Sequence, residues 1–443
     1  MNKKLQDPRA LAVPASRIAR FGRLGSMTAG VAGNMAVNGI AQLGQGRRPR
    51  MRDLLLTPGN VTRVADQLAK MRGAAMKIGQ LMSMDTGDVL SPELSDIMAQ
   101  LRDSAHIMPP AQLKQVLNTE WPKGWLREFA KFDVHPIAAA SIGQVHRVHT
   151  KDGRDMAIKV QYPGVARSID SDVANVGVLI RMSGLLPQGF ELAPYLEAAS
   201  AQLREETDYA REAEQMLRFR GLMADAPEFV VPQHHPDWST PNILAMEYID
   251  SQPIEALETE AQDLRDEVAT KLIDLTLREL FEFGEMQTDP NFANYRYQPE
   301  TGRIVLLDFG AARKLDPTVA ARYRRLMRAG RSGDTPALTD VATEIGFVAE
   351  DTADHHKTRV VRLIQMAFDA LARNEITDFD KMAALSQAMQ SEGMMLAEQG
   401  FVPPPLPLDV LLLQRKFGGV VLLATRLKAR VNTAALFDTY LTV

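Results

Sequence analysis

The amino-acid sequence predicts an α+β fold, and three observations lead there. Strand-length apolar runs lie in the middle of the chain, alternating with period two at Ile142–Val148 and Met156–Val160 and continuous at Phe229–Val231, Ile243–Met246 and Ile304–Leu307. Helical spacing comes before and between them, at Thr57–Met84 and Arg265–Phe283. After Asp308 the pattern is helical to the last residue, with linkers near Ser332-Gly333 and Pro403-Pro404-Pro405. No internal repeat interrupts this order.

At 443 residues the chain can hold two or three lobes, and its 45% apolar and 24% charged residues are ordinary for a folded protein. There are no cysteines, which excludes disulfides, thiolate catalysis and cysteine-bound zinc. The histidines show no metal spacing. His146 and His149 fall on opposite faces of a strand, and the pairs His234-His235 and His355-His356 are expected in solvent. No stretch reaches the ~18 apolar residues of a membrane span, and no secretory signal is visible. From Pro8 to Arg52 there are eight arginines and no acidic residue, flanking a weakly apolar run that contains Asn34, Asn38 and Gln42. This segment either contacts an anionic membrane surface or forms a basic tail, flexible or packed on the domain. It lacks the aromatic interleaving of a nucleic-acid surface, so no nucleic-acid partner is expected.

In chain order, Thr57–Met84 reads as a helix with Pro58 near its start and Val61, Val64, Leu68, Met71, Ala75 and Ile78 on one stripe. Lys77 and Gln80 lie one turn apart on a shared face, which by themselves suggests only a solvated surface. A second helix is expected from Ser91-Pro92, with Ser91 as N-cap. Pro109-Pro110 ends this region, and a short helix should precede Trp121-Pro122. Ala138-Ala139-Ala140-Ser141 then leads into a strand, and Asp152-Gly153 marks a hairpin to the next. In that next strand Met156, Ile158 and Val160 share one face, Ala157 and Lys159 the other. Lys159 is thus either an exposed strand lysine or a cation presented to phosphate. Leu203–Phe219 reads as one helix carrying Glu206, Asp208 and Tyr209. The helix Arg265–Phe283 is capped by Gly284. Leu411–Leu441 mixes basic residues with an apolar face of Leu422, Leu423, Leu427 and Val431, for which core packing is favoured over membrane contact.

The most informative stretch is Gln287–Gly310, QTDPNFANYRYQPETGRIVLLDFG. Phosphoryl transfer from Mg-ATP needs metal-bound phosphates and an oriented acceptor more than covalent chemistry. Two carboxylates and an amide on neighbouring loops supply that: Asp308 as main magnesium ligand, Asn294 on a second metal, and Asp289 accepting or orienting a proton. The order Asp-x4-Asn, strand, Asp-Phe-Gly resembles the catalytic and metal loops of protein kinases. Gln287-Thr288 stands where those enzymes have His-Arg, and no Ala-Pro-Glu closes an activation segment. Both departures argue against ordinary protein phosphorylation.

Six elements occur in the order seen in UbiB-type atypical kinases. They are Lys77-x-Gly79-Gln80, the alanine loop, Lys159, Glu206-x-Asp208, Asp289-x4-Asn294 and Asp308-Phe309-Gly310. Leu277–Thr288 and Gln414–Gly419 (QRKFGG) also resemble that family's mitochondrial coenzyme Q branch. The resemblance runs from about Arg17 to the C-terminus. It implies a protein-kinase-like two-lobe fold, a small β-rich N-lobe and a helical C-lobe, with an N-terminal helical extension. Residues 1–52 would be the basic segment, 53–130 the extension, 131–249 the N-lobe and 250–443 the C-lobe.

By position, the resemblance assigns ATP phosphates to Lys159, paired with Glu206, and to the loop Ala138, Ala139, Ala140 and Ser141. Adenine would meet the backbone of Glu247 and Ile249. Lys77 and Gln80 would lie over the cleft that admits a peptide in protein kinases, with Asp208 beside Lys77. The implied activity is a Mg-ATP-dependent atypical kinase or ATPase supporting ubiquinone biosynthesis at a membrane. Ubiquinone-biosynthesis proteins or polyprenyl phenol intermediates, anionic lipid and a second copy of the chain are its expected partners. The expected location is peripheral on the inner face of the cytoplasmic membrane, or the matrix side in a mitochondrion. A small-molecule kinase of the aminoglycoside or choline type shares the acidic loops but has no use for Lys77-x-Gly79-Gln80. A nucleotide-binding scaffold would need none of the catalytic residues.

Overall fold

The computed structural model describes residues 71–85, 107–183, 191–372 and 376–441. Residues 1–70, and with them the basic segment and the first part of the Thr57–Met84 helix, lie outside the described residues, as does the helix expected from Ser91. The described chain falls into two units. One is drawn from Met1–Glu214 and Gln233–Tyr248, the other from Gln215–Pro232 and Ile249–Val443.

The first unit is built on an antiparallel sheet. Its strands run Phe129–Phe132, Gly143–Thr150, Asp155–Gln161 and Ile243–Glu247 in order, and Ala138–Ala139 also pairs with the second of them. Gly153 takes φ 92° in the hairpin turn, a conformation that favours glycine. The expected face of Met156, Ile158 and Val160 packs on a cluster of Leu113, Leu117, Trp121, Trp125 and Phe129. Leu113 and Leu117 come from the helix Pro110–Glu120, in which Pro110 occupies the first turn. The other face carries Lys159, which lies over the Tyr209 ring and against Glu212 of the helix Tyr209–Leu222 and is only 7% exposed.

His146 lies wholly buried in this unit, while His149 is partly exposed. The His146 ring is fixed by its partners: Nδ1 lies 2.9 Å from the Asp133 carbonyl and Nε2 lies 2.8 Å from Gln144 Nε2. Gln144 Oε1 accepts the Met108 amide at 2.7 Å, so its NH₂ must face the ring, and neutral His146 carries its proton on Nδ1. Burial pushes its pKa down from 6.5 to about 4. Above pH 6.5 folded and unfolded chains both hold this group neutral. As pH falls through 6.5 only the unfolded chain takes up the proton, so stability is lost until pH passes about 4. The expected loss is on the order of 3 kcal/mol. Urea unfolding between pH 7 and 4 should show it, and His146→Gln should flatten that slope; an equal slope in both proteins would remove His146 as the cause.

The second unit carries a sheet in the order Phe229–Val230, Arg303–Leu306, Tyr295–Gln298, Gln252–Pro253, with the first pair parallel and the others antiparallel. The helix Gln262–Arg278 buries Val268, Leu272 and Leu275, widens into a π turn at Glu279–Phe283, and ends at Gly284 with φ 61°. The chain after Asp308 is not purely helical. Ala312–Lys314 pairs with Glu285–Gln287, and Thr377–Asp378 pairs with Arg430–Val431. In the last segment Leu423, Leu427 and Val431 are buried, but Leu422 is 60% exposed. His356 is buried against Phe401 rather than solvated, because its helix packs that side inward. Among the described residues, no helix is long and apolar enough to cross a membrane.

Candidate functional site

The expected helix Leu203–Phe219 is two helices, Ala193–Glu206 and Tyr209–Leu222, and the break re-sorts the acidic residues. Asp208 starts the second helix: its side chain accepts the Arg211 N–H at 2.9 Å and its carbonyl accepts the Glu212 N–H at 3.0 Å. The carboxylate clamped on Lys159 is therefore Glu212, not Glu206. Lys159 Nζ donates to both Glu212 oxygens, at 2.7 and 2.9 Å, and Glu212 is 2% exposed. Glu206 instead pairs with buried Lys77 and accepts a hydrogen bond from Ser141 Oγ. Motif position assigns Glu206 to Lys159, and the reading of Leu203–Phe219 as one helix gives no sign that Thr207-Asp208 divides Glu206 from Glu212.

Lys77 lies on the helix Arg72–Asp85, which crosses close to the alanine loop. A Cβ on Gly73 would stand 2.8 Å from the Ser141 carbonyl oxygen. This approach brings Lys77, Ser141 and Glu206 together, so Lys77 is an ion-paired residue and not a solvated one. Glu206 supplies the contact expected of Asp208 because it closes the preceding helix. Gln80 is on the same helix, but its side chain lies outside the described part. In the loop, Ala138 and Ala139 pair with Val145 and Gln144, and the Ala140 N–H donates to the Gly143 carbonyl at 2.9 Å. The Ala140 amide is thus already engaged. Glu247 and Ile249 fall on either side of the division between the units. Glu247 ends its strand with its N–H on the Gln233 carbonyl and its carboxylate on the Gln233 N–H.

In the second unit, Asp289 and Asn294 meet. Asn294 Nδ2 donates to the Asp289 carbonyl at 3.1 Å and lies 3.5 Å from its Oδ2. With the NH₂ engaged, the Asn294 amide oxygen is the atom left to serve as a donor to a cation. Asp308 has φ 59°, a left-handed conformation that costs a non-glycine residue of order 1 kcal/mol. Its Oδ1 accepts the Gly310 N–H at 3.2 Å. Phe309 is buried against Phe219, ring centroids 5.2 Å apart. Asp308 and Asn294 offer hard oxygen donors only, which suits magnesium shared with phosphate oxygens.

The helix Leu408–Arg426 adds residues that sequence reasoning left without a role, although they sit in the QRKFGG stretch noted there. Arg415 donates to Asp289 Oδ1 at 3.0 Å, and Lys416 lies 3.0 Å from Tyr295 Oη and 3.0 Å from Glu279 Oε2. One turn on, a Cβ at Gly419 would collide with Pro290 Cβ at 2.2 Å, so glycine there lets the helix close on the catalytic loop. Lys416 and Glu279 are 1% exposed each. Burial draws the lysine down and the glutamate up, but the attraction of Glu279 and Tyr295 outweighs burial for Lys416 and holds it above its usual range.

Residues 100–342 match the ABC1 atypical kinase-like domain. The chain is 36% identical over 439 residues to "Atypical kinase COQ8, mitochondrial" of Saccharomyces cerevisiae, covering 98% of this chain and 87% of that protein. It is 36% identical to "Atypical kinase COQ8B, mitochondrial" of Rattus norvegicus, covering 97% and 81%. Among solved structures, the Rv3197–erythromycin complex from Mycobacterium tuberculosis superposes with TM-score 0.60 at 23% identity, over 84% of this chain and 93% of that one, a likeness of fold. Over most of its length, then, this chain belongs to the ABC1 atypical kinase-like family.

Proposed function

We propose that the protein is a Mg-ATP-dependent atypical kinase or ATPase that supports ubiquinone biosynthesis at a membrane surface. The observation that supports the reading is that each unit holds its share of the residues proposed for phosphoryl transfer by hydrogen bonds of its own. Lys159 is locked to Glu212 in one, and Asp289, Asn294 and Asp308 are held by hydrogen bonds in the other. Bound magnesium would neutralise charge on the transferring phosphate. In this reading Lys159 would bind phosphate oxygens, Asn294 and Asp308 would hold the cation, and Asp289, oriented by Arg415, would take the acceptor's proton. The pathway follows from relatives named COQ8, and the membrane from the arginines of residues 1–52.

The test is steady-state phosphate release from Mg-ATP with and without cardiolipin or phosphatidylglycerol liposomes. Basic residues contribute roughly 1 kcal/mol each at an anionic surface. Deleting residues 1–52 should therefore lower co-sedimentation with these liposomes, and so should added salt. Equal binding by both proteins would move the lipid contact elsewhere. Absence of any metal-dependent phosphate release would leave the scaffold as the better reading.

A further inference from the structure

Gln287 and Thr288 stand where protein kinases carry His-Arg, and both bond the loop that follows Asp308. Thr288 Oγ1 donates to the Ala311 carbonyl at 2.9 Å. Gln287 does more. Its Nε2 donates to the Asp308 carbonyl at 2.8 Å, and its Oε1 accepts the Asp289 N–H at 2.6 Å. Only this amide orientation works, because a flip would set donor against donor and acceptor against acceptor. The side chain is 6% exposed, and the Gln287 backbone is paired with Ala312 and lies 3.4 Å from Glu279 Oε1. One buried amide therefore ties the backbone of the proton-accepting residue to the backbone of the metal-binding residue, at the point where Asp308 is held left-handed.

We propose that Gln287 is a positioning residue that sets Asp289 and Asp308 relative to each other, and that it does so independently of pH because it is an uncharged donor–acceptor. The inference rests on the kinase-type reading of those two aspartates. A carboxylate at this position would keep the acceptor for Asp289 but turn an anionic oxygen on the Asp308 carbonyl. An imidazole could serve both loops only while neutral, since its protonated form has no acceptor for the Asp289 N–H.

The experiment compares wild type, Gln287→Glu, Gln287→His and Asp308→Asn in Mg-ATP hydrolysis from pH 5.5 to 8.5, with thermal unfolding of each. Gln287→Glu should lower kcat by about 10–100-fold, the usual effect of losing a group that orients a metal ligand, with the KM for ATP little changed. Gln287→His should gain an acid limb in kcat as the imidazole takes up its second proton and loses its acceptor. Wild-type kcat in both Gln287 variants beside an inactive Asp308→Asn overturns this inference alone. Losses that follow the folded fraction, with no new acid limb in Gln287→His, also overturn it. Full activity in Asp308→Asn overturns the metal assignment and this inference together.

Discussion

Asp308→Asn is expected to remove metal-dependent ATP hydrolysis while leaving the chain folded. The substitution keeps the size of the side chain and keeps an acceptor toward the Gly310 N–H. Asparagine tolerates the left-handed conformation found at φ 59° better than most residues, so the backbone is not an obstacle. What would be lost is the anionic oxygen proposed for magnesium, and the other proposed donor, Asn294, is neutral. Electrostatic stabilisation is usually the largest part of such catalysis, so a fall of at least about a hundredfold in kcat should follow. Phosphate release and thermal unfolding of the two proteins decide it. Equal hydrolysis would mean that Asp308 is not the metal ligand.

The second large effect concerns Glu212. Lys159 and Glu212 are both nearly inaccessible, and each offsets much of the cost of burying the other's charge. Glu212→Ala leaves an ammonium group buried without its main partner, a change that typically costs about 3–5 kcal/mol. Urea unfolding should register that loss, and nucleotide affinity should fall as Lys159 is displaced. Exchanging the whole pair for apolar residues, Lys159→Met with Glu212→Leu, should restore most of the stability but not the affinity. Glu206→Gln makes the contrast. It should loosen Lys77 and leave Lys159 in place. If Glu206→Gln and Glu212→Ala have interchanged effects, the pairing is the one the linear sequence suggested.

Much of this protein is legible along the chain because its signals are local. The Asp-Gly hairpin, the Met156, Ile158 and Val160 face, the Gly284 cap and the order Asp289, Asn294, Asp308 each depend on residues within a few positions of one another. Family membership is legible for the same reason, since it rests on ordered short motifs. What only the tertiary structure decided is partnership across distance. A two-residue break at Thr207-Asp208 puts Glu206 and Glu212 on different helices, and Glu212 meets Lys159 while Glu206 meets Lys77. Arg415 and Lys416 lie more than a hundred residues from Asp289 and Tyr295, and nothing local marks which acid each cation will neutralise. Gln287, conversely, reads in sequence as the absence of a histidine. It becomes a clamp only when strand pairing with Ala312 brings the Asp308 carbonyl within reach of its amide.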